Sequence, residues 1–432
     1  MIYQKIFSLG IALAFFTLCS SQKTLKVNQD RLEKSIKQLA KFGQKPNGEG
    51  NRVAFSDGDI EGRKFTIEIM REAGLEVSVD FAGNIIGKRA GENPQLSPIA
   101  FGSHIDMVPD GGNYDGCVGS MASIEAVRIL EENNITTQHP LELIIFSNEE
   151  GGVMGSRAIV GELPDSALGI KNTTGFSMGE GMNRIGGNTD KLSEVIRKKG
   201  DLAAFIELHI EQGGILDEEN IDIGVVEGIV GLNWWDVTFK GFANHAGTTP
   251  MNGRQDALIA AANFIIAVNE TTKSFEGKQV GTVGRIKANP GAPNVIPGEV
   301  ILSLEIRDLS SEKILQVYQA IKKKGFEIAE ATNTEVQFEA LSTTGKPALM
   351  NSKIQKAIAE VAGELKLSHK QMQSGAGHDA QDMAHIVPSG MIFVPSVGGI
   401  SHSPKEFTSA KDMANGANVL LHTILKLDKT LN

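Results

Sequence analysis

Cysteine is nearly absent: Cys19 and Cys117 are the only two in 432 residues. That excludes a disulfide framework and a cysteine-built zinc module, so any metal must be held by histidines and carboxylates. Basic residues are also in deficit, 42 Lys and Arg against 52 Asp and Glu, for a net charge of −10. Phosphate neutralisation needs a basic face, so nucleic-acid binding is not expected. Internal repeats and low-complexity tracts are missing, and 41% hydrophobic residues suffice for real cores, which removes disordered and fibrous classes. Glycine, by contrast, is plentiful at 48 residues, above a typical ~7% and without a collagen-like period.

The one long apolar run is at the start. Lys5 is followed by an uncharged stretch from Ile6 to Leu18 that ends at Cys19-Ser20-Ser21-Gln22. This has the layout of a signal peptide covering residues 1–21 and is too short for a comfortable membrane span. The reading predicts export to the periplasm or medium. Phe16-Thr17-Leu18-Cys19 also loosely resembles a lipobox, which leaves acylation of Cys19 as an alternative.

Beyond the leader, Leu32, Ile36 and Leu39 at helical spacing predict a helix over 28–42, and a second is expected over 59–73. Strand-like runs at 76–80, 84–88, 99–105 and 141–147 alternate with a helix at 119–132. Such alternation predicts an α/β fold, a mainly parallel mixed sheet flanked by helices, with functional residues where strands end. Near Val225 the pattern changes. A strand opened by Asn233-Trp234-Trp235, a helix over 255–271, strands at 279–287 and 299–307, a helix over 311–332 and a strand at 334–341 give β-α-β-β-α-β order. This is the ferredoxin-like α+β arrangement. The expected organisation is a first catalytic part at 22–224, an inserted domain at 225–340 and a second catalytic part at 341–432.

Five segments carry metal-capable side chains in glycine-bounded loops or at strand ends: Gly102-Ser103-His104-Ile105-Asp106, Gly111-Gly112-Asn113-Tyr114-Asp115-Gly116, Asn148-Glu149-Glu150-Gly151, Glu207-Leu208-His209-Ile210-Glu211-Gln212-Gly213 and Gly398-Gly399-Ile400-Ser401-His402-Ser403. His104 and Asp106 project from the same side of a strand, so the carboxylate could orient the imidazole. Glu149 and Glu150 are neighbours whose side chains diverge, so one could bind metal while the other faces substrate. Each segment alone is weak, a glycine-flanked His or Asp being commonly a solvated loop residue or a cap.

In this order, the five together resemble the M20 family of dinuclear zinc hydrolases, in particular its amidohydrolase branch of N-carbamoyl-L-amino acid hydrolases, β-ureidopropionases and allantoate amidohydrolases. The resemblance covers nearly everything after the leader. It implies a zinc-exopeptidase-like catalytic domain with an inserted lid and dimerisation domain. It makes His104, Asp115 and His209 the ligands of one divalent cation and Asp115, Glu150 and His402 those of a second, with Asp115 bridging and Glu149 the general base. The cations implied are two per subunit, zinc first, although manganese, cobalt or nickel would suit the same donors. The histidine at 209 matches the carbamoyl-hydrolysing branch, where M20 peptidases generally carry an acid.

The same resemblance assigns His245, in Asn244-His245-Ala246-Gly247, to stabilising charge on the reacting carbonyl. Asn294 and Arg307 match residues that grip the substrate's α-carboxylate, a task that suits the planar guanidinium fork. Without the resemblance, Arg307 reads as a salt bridge to Asp308 or another acid. Gln212 and His378, the latter in Gly375-Ala376-Gly377-His378-Asp379, match substrate contacts. Hydrolysis of the C–N bond of an N-carbamoyl-L-amino acid is the expected activity. Allantoate hydrolysis, an M20 aminoacylase or exopeptidase, and a non-catalytic metal-binding protein are the alternatives. A homodimer joined through the inserted domain and a cis peptide between Asp115 and Gly116 are also implied. His139, His369, His385 and His422, the Trp234-Trp235 pair and Cys117 read as packing or surface residues.

Overall fold

The first helix among the described residues shows how the chain builds its core. In the computed structural model, which describes residues 25–48, 50–341 and 345–431, the N-terminal helix runs Gln29–Leu39. Asn28 caps it by accepting from Arg31 N–H, and Leu32, Ile36 and Leu39 form its buried stripe. The leader reading, with Cys19, falls on residues outside those described. Among the described residues no helix is long and apolar enough to cross a membrane.

The large sheet contains β1 (Glu76–Val79), β2 (Ile85–Arg89), β3 (Ile99–His104), β4 (Leu141–Phe146), β5 (Ala204–Ile210) and β6 (Ile223–Ile229). The second sheet takes β7 (Gly231–Lys240), β9 (Val280–Thr282), β10 (Ile286–Asn289), β12 (Glu299–Asp308) and β13 (Glu335–Ala340), while β8 (Asn244–His245) and β11 (Val295–Ile296) pair separately. The chain then returns to the large sheet with β14 (Ala348–Leu349), β15 (His369–Ser374) and β16 (Ser389–Val394). The large sheet runs β1-β2-β4-β3-β5-β16-β6-β14, with β15 also on β6. Its centre, β4-β3-β5-β16, is parallel, and antiparallel ladders lie on either side. Strands β3, β4, β5 and β16 are buried along their whole length, as expected for strands covered on both faces. Helices 29–39, 117–132, 352–364 and 410–430 cover one face. The opposite face packs on Leu216, Met383, Ile159 and neighbours.

Two sequence expectations shift. The inserted domain was expected to begin at 225, but β6 stays in the large sheet through parallel pairing with β15, so the chain changes sheets only after Ile229. The strand expected over 279–287 is two short strands, β9 and β10, both against β12. The order β10-β12-β7-β13 is nonetheless that of a ferredoxin-like sheet. Helices Ala257–Ser274 and Ser311–Ala331 pack over it through Phe264, Val268, Val317 and Ile321. Trp235 is buried and stacks on Tyr318 with ring centroids 4.1 Å apart.

Candidate dinuclear metal site

The parallel strands deliver the chemistry at their C-terminal ends, where open α/β sheets bind ligands. His104 is the last residue of β3, His209 is the penultimate residue of β5, and Glu149 and Glu150 follow β4. Asp115 arrives just before helix Cys117–Glu132. His402 comes from the loop after β16.

Among the described residues four His-carboxylate groups have donor atoms within 4.8 Å of one another; Glu207, His209 and His378 form one behind the cluster, and two meet in it: His104, Asp115 and His209, and Asp115, Glu150 and His402. Asp115 is common to both. Its Oδ1 lies 3.1 Å from His209 Nε2 and 3.6 Å from His104 Nε2. Its Oδ2 lies 3.2 Å from His402 Nε2, which is 3.5 Å from Glu150 Oε2. His104 and His209 are at the floor, 1% exposed, whereas His402 is 50% exposed and marks the solvent side. Glu149 Oε2 stands 3.7 Å from His104 Nε2, beside the cluster.

The donors fit divalent cations. His104 Nδ1 faces the Asp106 carbonyl at 3.1 Å and His209 Nδ1 the Ile210 carbonyl at 2.9 Å. A proton held there leaves each Nε2 as the acceptor: that of His104 faces the cluster, the arrangement of a metal-ligating imidazole, while that of His209 also accepts the Gly116 N–H at 3.1 Å. Glu150 Oε1 is buried with no hydrogen-bond partner, an orphan that a cation would satisfy. Glu162, Asp382 and His385 form another acidic group, but Arg157 and Lys346 already neutralise it.

The electrostatics follow from crowding these charges. Burial opposes ionisation of Asp115, but hydrogen bonds from His104, His209 and His402 outweigh it and hold the carboxyl well below its usual range. Burial likewise disfavours a charged His104, yet Glu149, Asp115 and Asp106 raise it well above an ordinary imidazole. The Asp115 hydrogen bond lifts His402 to about 9. Burial, then the Asp115 charge, lifts Glu150 to about 7, and burial raises Glu149 well above a normal carboxyl.

Asp106 acts differently from the sequence reading. Its oxygens accept the backbone N–H groups of Glu149 and Glu150, both at 3.2 Å, while the nearer one stays 3.7 Å from His104 Nδ1. It therefore fixes the turn carrying both glutamates. The expected cis bond at Asp115-Gly116 is not found: the cis peptide among the described residues is Asn289-Pro290. Gly116 instead takes φ 62, ψ −40, and Cys117 N–H donates to Asp115 C=O at 2.6 Å. This is a γ-turn. A Cβ at Gly116 would sit 2.3 Å from His104 Nε2, so glycine serves both the turn and the ligand's approach.

The remaining predicted residues divide. Gln212 joins the cluster, donating from Nε2 to Asp115 Oδ2 at 2.7 Å, with Oε1 buried and unpartnered. His378 is buried against His209, ring centroids 4.4 Å apart, with Nε2 2.9 Å from Ser374 Oγ. It backs the His209 ring. His245 and Asn294 are brought together by the β8–β11 ladder, where Ala246 N–H donates to Asn294 C=O. The exposed His245 ring bonds within its own loop, Nδ1 accepting from Gly247 and Thr248 N–H. Arg307 donates Nε to Glu305 at 2.8 Å and Nη1 to the Gly375 carbonyl at 2.6 Å, tying the second domain to the loop that carries His378. Cys117 is buried, 3.1 Å from Arg52 Nη2. His139 is buried against the Ser97 carbonyl and His422 meets that of Leu25.

Sequence reasoning missed Glu406, a buried carboxylate behind Asp115 and His402. Its signal is faint, an acid four residues after a ligand histidine. Beside Glu150 a cavity of about 380 Å³, lined by Val53, Met107, Pro109, Asn148 and Asn172, gives room for a small molecule.

Comparison with known proteins finds relatives over nearly the whole chain. The model of peptidase family M20/M25/M40 matches residues 100–426. The chain is 39% identical to an N-carbamoyl-L-amino acid amidohydrolase of Geobacillus stearothermophilus, over 93% of this chain and 99% of the relative. It is 39% identical to a ureidoglycolate hydrolase of Arabidopsis thaliana, over 94% and 87%. A hydantoinase/carbamoylase family amidase from Burkholderia multivorans superposes with TM-score 0.87 at 35% identity, covering 93% of this chain and 98% of that one.

Proposed function

Because the chain belongs to peptidase family M20/M25/M40, we propose that it is a metal-dependent amidohydrolase that cleaves the C–N bond of an N-carbamoyl-L-amino acid, yielding the amino acid, ammonia and carbon dioxide. The observation that carries the reading is Asp115 shared between two His-carboxylate groups with Glu149 alongside. The names of the relatives point to ureido acids rather than peptides.

Two divalent cations, zinc by preference, would be held by His104, Asp115 and His209 and by Asp115, Glu150 and His402; bound there, they supply Lewis-acid polarisation and acidify water. The chain's own residues do the rest. Glu149 accepts the water proton at its carboxylate and returns it to the leaving nitrogen. Gln212 offers its amide to the ureido group. His245 stabilises the oxyanion once the second domain closes. Asn294 and Arg307 hold the α-carboxylate, Arg307 by giving up part of its pairing with Glu305.

Ureidoglycolate is the second reading, favoured by a relative of equal identity. Turnover of N-carbamoyl-L-amino acids, ureidoglycolate, allantoate and dipeptides by the zinc- or manganese-loaded protein tests it. Release of ammonia from a ureido acid is expected. Dipeptide cleavage without ureido turnover would overturn the assignment.

The functional unit proposed is a homodimer. On helix Ala257–Ser274, Ile259 and Ile266 are 55% and 56% exposed, with Leu258 and Ile265 beside them. Such a face suits a second copy.

A further inference from the structure

We propose that Glu406 is a positioning residue, a clamp built purely of hydrogen-bond acceptors that sets the distance between the bridging carboxylate and the solvent-side histidine. The inference rests on the dinuclear reading above and deepens it.

Glu406 is 5% exposed. Its Oε1 accepts the N–H groups of Tyr114, at 2.9 Å, and Asp115, at 3.0 Å. Its Oε2 accepts the His402 N–H at 3.3 Å and the Ser401 hydroxyl at 3.0 Å. One carboxylate thus joins two loops that enter the site from distant parts of the chain, one carrying Asp115 and the other His402. Ser401 Oγ also lies 3.1 Å from Asp115 Oδ2, so the same hydroxyl abuts the ligand oxygen that faces His402. His402 stands at φ 52 on an exposed loop, with no strand or helix to fix it. The clamp supplies that fixation.

The contact pattern calls for acceptors only. All four partners are donors, and a carboxylate offers about four acceptor sites and no donor. Glutamine would turn an NH₂ towards two of those donors, and aspartate would be one methylene short of spanning both loops. Gly112 completes the device: a Cβ there would lie 2.2 Å from Glu406 Oε1 and 2.4 Å from its Cβ. The space for the carboxylate exists only because residue 112 has no side chain.

The test uses the full chain, stripped with chelator and titrated with zinc by calorimetry. The wild type is expected to take up two ions. Glu406→Gln should weaken uptake at one of them by roughly 10–100-fold, the usual cost of losing a residue that orients ligands. Glu142→Gln is the control. Glu142 is an equally buried carboxylate, paired with Arg197 at 2.7 Å in the sheet away from the loops; its loss should lower the thermal midpoint without altering zinc affinity. Unchanged affinity at both sites in E406Q overturns the clamp alone, whereas fewer than two ions in the wild type overturns the dinuclear reading and the clamp with it. If E406Q does not fold, Gly112→Ala, which displaces Glu406 without touching a ligand, decides: loss of affinity at one site supports the clamp and wild-type affinity refutes it.

Discussion

Asp115 Oδ2 lies 3.2 Å from His402 Nε2, and the hydrogen bond between them holds the imidazole charged, lifting it to about 9. At pH 7 that imidazole carries a proton which a cation must displace, and Glu150, at about 7, is half protonated. Glu149, Asp115 and Asp106 also push His104 upwards against its burial. Metal uptake at pH 7 is therefore expected to release roughly one or more protons per chain. The release should shrink as pH rises through about 9, where His402 loses its proton unaided. Calorimetry in buffers of different ionisation enthalpy reads this directly; zero net release at pH 7 would show that the imidazoles are neutral before metal arrives.

Glu149 makes no hydrogen bond that anchors Asp115 and stands beside rather than between the two donor groups. Glu149→Gln is accordingly expected to retain metal while kcat falls by about 10²–10⁴-fold. Metal analysis and steady-state kinetics on one preparation separate the effects. Loss of metal in proportion to activity would reassign Glu149 to coordination.

Arg307 has two partners, Glu305 and the Gly375 carbonyl, so its role is open to a sharp comparison. Arg307→Ala should raise KM for a carboxylate-bearing ureido acid by about 10-fold or more, in keeping with a lost charge-assisted pair. The same substitution should leave the KM of a ureido compound lacking the carboxylate unchanged. Equal effects on both would mean that Arg307 serves only to dock the two domains.

What was legible follows from where each property is encoded. The candidate donors sit at the ends of short apolar strands, a local feature; the segments holding His104, Glu150 and His209 stand out in the sequence, but only their joint order, through the resemblance, gives them a metal-binding role. The boundary at 225 was misplaced because the membership of β6 in the large sheet depends on β15, far along the chain. Glu305 as the partner of Arg307 is a matter of strand geometry, two residues apart on one face of β12, while the adjacent Asp308 caps Ser310 N–H instead. Glu406 was invisible because its function lies in four donors from two separate loops.

Packing behind the ligands is tight enough to test. A Cβ at Gly119 would stand 1.8 Å from the Leu208 carbonyl oxygen, so Gly119→Ala must push helix Cys117–Glu132 off β5. Asp115 precedes that helix and His209 follows Leu208, so the two ligands should separate. A loss of about 1–3 kcal/mol or more, typical of overpacking, is expected in chemical denaturation, together with weakened metal binding. Stability loss with unaltered metal affinity would show that the Asp115 turn moves independently of its helix.

The exposed face of helix Ala257–Ser274 gives the last prediction. Ile259 and Ile266 are seven positions apart, on one side of the helix, and the helix buries Phe264 and Val268 in its own domain. Charge on the outward side should therefore disrupt a subunit contact without unfolding the domain. Ile259→Arg combined with Ile266→Arg is expected to convert a dimer to monomer in sedimentation velocity at micromolar concentration, with the circular dichroism unchanged. If the dimer persists in the double variant, its interface lies elsewhere; if the wild type is itself a monomer at that concentration, the exposed face does not serve self-association.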